Sequence, residues 1–164
     1  LETLMADTRE NANLCVRDGH KVIYVDHVGS PDHNLQAFTR LGGSAPLYAS
    51  GVGKLFLSHL GSEAFEEYLE AVDLRAFTPR TLVTAGALAA EIEKVARHGY
   101  AIDNEEKELG VRCVAAPIFD HRNDMVAAIS VSGAAQRLTD DRLPGLAALV
   151  VDVAGRLSAA IGHQ

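Results

Sequence analysis

Two runs, 111–118 and 126–132, are rich in apolar and small residues and are separated by the charged turn Asp120-His121-Arg122-Asn123-Asp124. That pattern predicts a hairpin of two strands apolar enough to lie in the middle of a sheet. Side chains alternate along a strand, so Val111, Cys113 and Ala115 share one face, and Val126, Ala128, Ser130 and Ser132 share one face of the partner strand. The opposite face of the second strand carries only Ala127, Ile129 and Val131. Two hydroxyls thus stand side by side in a strand otherwise built to be dry, and buried hydroxyls need partners. Either each serine bonds backbone nearby, or the pair floors a ligand cavity.

The remaining elements cover or extend this hairpin. Residues 1–13 place Leu1, Leu4, Met5 and Thr8 at helical spacing, which predicts an amphipathic helix. Runs 13–17 and 21–28, split by Asp18-Gly19-His20, predict a second hairpin, and 35–41 a third strand with poor alternation. From Gly42 to Leu60 a Gly- and Ser-rich turn runs into the apolar series Leu55, Phe56, Leu57 and Leu60, so a helix is expected to start near Ser50. Ser50-Gly51-Val52-Gly53 would then lie at a helix N-terminus, where free amides and the positive dipole end favour an anion. The phosphate-loop pattern fails at Tyr48 and Leu55, and glycines here could equally serve close helix packing. Further helices are expected over 62–72, opened by Ser62, and over 84–98, with Leu88, Ile92 and Val95 on one stripe and Gly99 as the stop. Residues 100–103 form a short strand. A last helix with Asp141 as N-cap and Pro144 in its first turn carries the stripe Leu143, Leu146, Val150, Val153, Leu157 and Ile161. The order reads as one α+β domain, an antiparallel sheet flanked by helices.

Composition narrows what such a domain can do. Fifteen Lys plus Arg against 22 Asp plus Glu leave a net charge of -7, which repels a phosphate backbone, so nucleic acid is not expected as this domain's own partner. Arg40, Lys54 and Arg112 are scattered among acids and make no basic stripe, and the run Glu105, Glu106 and Glu108 reads as a solvated turn. No apolar run approaches the roughly 18 residues of a membrane span. Cys15 and Cys113 show no paired or metal-ligand spacing, which fits a reducing cytoplasm. His27 and His33 could approach Cys113 and Asp103 around a metal, but no ligand motif supports it, and neither metal nor cofactor is expected. The chain opens without Met and already in helical sequence, as a piece of something longer would.

The series ASGVGKLFL, HGYAIDNEEKELGVRCVAAPIFD, AAISVSG and LTDDRLPGLAALV, in that order and spacing, resembles the C-terminal effector-binding domain of IclR-type bacterial transcription regulators. The resemblance implies a GAF-like fold for residues 13–164, with 1–12 as the linker helix from a missing winged helix-turn-helix domain through which alone DNA is bound. It implies a small-molecule effector, no membrane, a homodimer or homotetramer, and no catalysis. By the same resemblance the effector's carboxylate meets the amides of Gly51 and Val52, and Asp103, Val111, Cys113, Ser130 and Ser132 complete the pocket. Ala37 is the candidate for an apolar wall in a segment that matches the family poorly. A different class remains open, an enzyme on a similar fold with Cys113 as nucleophile or redox thiol, although no histidine is placed to activate it.

Overall fold

The computed structural model describes residues 1–32 and 41–164. Its centre is a six-stranded antiparallel sheet made of β1 (Asn11–Asp18), β2 (Lys21–Val28), β3 (Ser44–Pro46), β4 (Ala101–Asn104), β5 (Val111–Phe119) and β6 (Met125–Ala134). Their spatial order is β3-β2-β1-β6-β5-β4, so the expected core hairpin β5–β6 does lie inside the sheet. The register pairs Cys113 with Ser132 and Ala115 with Ser130 across that hairpin, and Asn13 with Ser130 across β1–β6. The turn at 120–124 closes with Asn123 at φ 64, while the Asp120 carboxylate accepts the amides of Arg122 and Asp124.

Helices cover both faces. Helices α2 (Gly51–Ser58) and α4 (Ala85–His98) pack on one, where Cys15, Val22, Ala101, Ala115 and Ala128 point. Helices α1 (Glu2–Thr8) and α5 (Leu143–Ala160) pack on the other, over Ala12, Val114, Ala116, Ile118, Ile129 and Val131. Helix α3 (Ser62–Ala71) joins the first layer through Tyr68, whose hydroxyl accepts the Tyr48 amide at 3.2 Å. The α+β expectation therefore holds.

Several boundaries move, each for a local reason. Helix α1 stops at Thr8 rather than continuing to Asn13, because Arg9 turns left-handed (φ 59) and Glu10 is held in a buried bidentate pair with Arg137. Helix α3 is preceded by Gly61 as its cap instead of being capped by Ser62. Arg142, not Asp141, stands at the N-cap position of α5 and makes no side-chain cap, while the Asp141 carboxylate accepts from the Thr139 hydroxyl. The buried stripe of α5 is also rotated. Leu146, Ala147, Val150, Ala154 and Ser158 face the sheet, whereas Leu157 and Ile161 are exposed. Small residues there bring helix and sheet close enough for the Ser158 hydroxyl to accept the Phe119 amide at 3.0 Å. With 18 residues and mean hydropathy 1.4, α5 reaches the length and apolarity of a membrane span, contrary to the sequence expectation. One side of it nevertheless packs on the sheet, and Asp152 and Arg156 lie on the other. The third strand expected at 35–41 falls almost wholly outside the described residues, and β3 pairs with β2 instead.

Candidate functional site: a cavity at the start of a helix

Helix α2 begins where it does because Ser50 is extended and its hydroxyl accepts the Gly53 amide at 3.1 Å. That cap satisfies the third amide of the helix. It leaves those of Gly51 and Val52, which no α-helix can satisfy internally. The two glycines then differ in role. A Cβ on Gly53 would overlap the Leu47 backbone, so this position serves close packing. A Cβ on Gly51 would stand 3.6 Å from Cys113 Sγ and Ala115 Cβ and 3.4 Å from the Asp103 amide, so Gly51 brings the helix start onto the floor of the sheet.

Between that helix start and the sheet lies a cavity of about 250 Å³, lined by Tyr24, Ser50, Gly51, Val52, Asp103 and Cys113, with Val111, Ser132, Ser44, Lys107 and Glu108 around them. Six of the eight positions expected to meet an effector therefore converge: Gly51, Val52, Asp103, Val111, Cys113 and Ser132. Ser130 sits beneath them, 1% exposed, and does not line the space. Ala37 lies outside the described residues.

The serines bond neither backbone nor cavity alone. Asn13 Nδ2 donates to both hydroxyls, at 3.2 Å to Ser130 and 3.3 Å to Ser132, and Asn13 Oδ1 faces His27 Nδ1 at 2.8 Å. Asn13 and Tyr24 were missed by sequence reasoning, because only the β1–β6 register brings the first hairpin beside the second. Parity offered a partial signal, since Asn11, Asn13 and Cys15 share one face of β1. His27 is engaged with Asn13, and among the described residues no three acidic, His or Cys side chains are grouped to hold a metal.

The ionisable groups are shaped by burial. Asp103 Oδ1 accepts the Glu106 amide at 2.8 Å, yet desolvation, reinforced by the Glu106 charge, pushes its carboxyl up to about 7. The Cys113 thiol is raised to about 11 by burial and then by the neighbouring Asp103. The Tyr24 phenol is raised by the same burial. Glu106 is not the solvated residue expected, being 6% exposed and bound at 2.7 Å to the fully buried Lys54. Burial works against the Lys54 ammonium, but Glu106 and Glu91 hold it charged.

Fold and cavity together define an α+β domain with a hollow of small-metabolite size set against a helix N-terminus. The chain matches the family described as bacterial transcriptional regulator IclR C-terminal over residues 1–159, and it belongs to that family. It is 38% identical over 164 residues to the transcriptional repressor IclR of Escherichia coli, covering 99% of this chain and 60% of that protein. The crystal structure of Thermotoga maritima IclR superposes with a TM-score of 0.93 at 34% identity, over 99% of this chain and 66% of that one. A double mutant of the PobR inducer-binding domain from Acinetobacter, solved with 3-hydroxybenzoic acid, superposes at 0.89 and 26% identity, over 96% and 93%. The chain thus spans about 60% of the length of the E. coli repressor. The E. coli relative is named a transcriptional repressor, and KdgR of the same organism, 32% identical, is named an HTH-type transcriptional regulator.

Proposed function

We propose that this domain senses a small, carboxylate-bearing metabolite and passes its presence to a winged helix-turn-helix DNA-binding domain joined ahead of residue 1 in a cytoplasmic regulator. The carboxylate rests on the amides of Gly51 and Val52, and Asp103, Val111, Cys113 and Ser132 contact the remainder, with Ser130 acting through Asn13 and Ser132. Residues 1–12 form the connection. The observation that carries this reading is the helix start at Gly51 and Val52, whose amides have no partner among the described residues, beside a small, half-open cavity. The PobR domain, described as inducer-binding and solved with an aromatic acid, supports it. A metabolite bound unequally in two arrangements of a dimer or tetramer biases the spacing of the DNA-binding heads. Cysteine catalysis has the opposite electrostatics, because a nucleophilic thiol needs lowering and Cys113 is raised, while Arg112 turns away to Asn104 and Asp140.

Calorimetry with a panel of small carboxylic acids tests the site. Gly51→Val projects methyl groups toward Cys113 and Ala115, into the space beside the two amides. A loss of at least about tenfold in affinity for the best acid, with the thermal transition retained, is expected. Equal affinity in parent and variant places the carboxylate elsewhere.

A further inference from the structure

A cavity offered to an anion would not be expected to hold a carboxylate of its own, yet Asp103 lines this one. Asp103 lines the same space of about 250 Å³ as Gly51 and Val52, and its charge helps raise the Cys113 thiol and the Tyr24 phenol that line it too. The cations that could neutralise Asp103 are committed. Lys54 spends its three N–H donors on Glu106, Glu91 and the Ile102 carbonyl. Lys107 lies with Nζ 4.0 Å over the Phe77 ring.

We propose, building on the effector reading above, that carboxylate binding is proton-coupled: Asp103 is protonated in the complex and presents a hydroxyl, not a second negative charge, to the ligand. Burial and the Glu106 charge push Asp103 this way and outweigh Lys54 and the amides of Glu106 and Lys107, which push the other. From the β4–β5 loop come Glu106 and Glu108 with the engaged Lys107; from β5 comes the Cys113 thiol and from β2 the Tyr24 phenol, both neutral. From α2 comes Lys54, and behind it Glu91 of α4. Burial already brings the empty-cavity carboxyl to about 7. A ligand anion raises it further, since like charges favour the neutral form. The sign follows. Well below pH 7 the group is already protonated and binding moves no proton. Above pH 7 each ligand takes one proton from solvent onto Asp103, and affinity falls by up to about tenfold per pH unit. The sensor would thus answer to carboxylate and acidity together.

Titration calorimetry at pH 6 and pH 8, in buffers of different ionisation enthalpy, reads the proton directly. The probes are acetate, benzoate and 3-hydroxybenzoate, all ionised at both values. Expected at pH 8 is uptake approaching one proton per ligand, with affinity at least about fivefold weaker than at pH 6. Asp103→Asn keeps a carbonyl oxygen for the Glu106 amide and should bind with no uptake and a flat pH profile. Binding without uptake in the parent, or equal uptake in the variant, overturns the coupling while leaving the sensor reading intact. Binding of no acid at either pH overturns the sensor reading, and the coupling falls with it. The parent measurement alone decides the matter if the variant fails to fold.

Discussion

The same strands build two unlike faces. Toward α1 and α5 the sheet presents the apolar side chains Ala12, Val114, Ala116, Ile118, Ile129 and Val131. One residue along each strand, toward α2, stand Asn13, Cys113, Ser130 and Ser132, with Asp103 at the edge. Both faces are buried, so burial alone does not distinguish core from site. What distinguishes them is that one face closes by packing and the other by a polar network that stops short of filling its space. Asn13 ties the two serines together, Lys54 ties α2 to β4 and α4, and the hollow lies between these two ties.

The contrast can be broken most sharply at Lys54. Its side chain is wholly buried, and Lys54→Met leaves Glu106 charged, buried and unpaired. Such a loss costs about 3–5 kcal/mol. Chemical denaturation should show it, and adding Glu106→Gln should restore part of it. A smaller gap separates the faces themselves. Ile129→Ala opens a cavity on the dry face, at a cost of roughly 2–4 kcal/mol. Ser130→Ala on the other face removes one of two hydroxyls that Asn13 serves, at about 1 kcal/mol. Equal costs at the adjacent positions 129 and 130 would contradict the division into a packed face and a networked one.

Much of this was legible along the chain, and the limits are physical. Period-two alternation located β5, β6 and the faces of Cys113, Ser130 and Ser132, because a strand's neighbours within one hairpin are set locally. The Gly- and Ser-rich turn running into an apolar helical series announced the start of α2. Nothing local says that β1 lies beside β6, so Asn13 and Tyr24 could not be placed in or under the cavity. Nor could the burial of Glu106 be foreseen, since it depends on Lys54, 52 positions away. In α5 a stripe of large apolar residues competed with one of small residues, and close approach to the sheet selected Ala147, Ala154 and Ser158.

The central claim is that the amides of Gly51 and Val52 hold a ligand's carboxylate. Amide proton–nitrogen correlation spectra, recorded while 3-hydroxybenzoate is titrated into the domain, observe those two groups themselves. Downfield displacement of both amide protons, saturating together and much reduced with 3-hydroxybenzamide, is the predicted result. Saturable displacement elsewhere on the domain, with Gly51 and Val52 unmoved, would contradict the account.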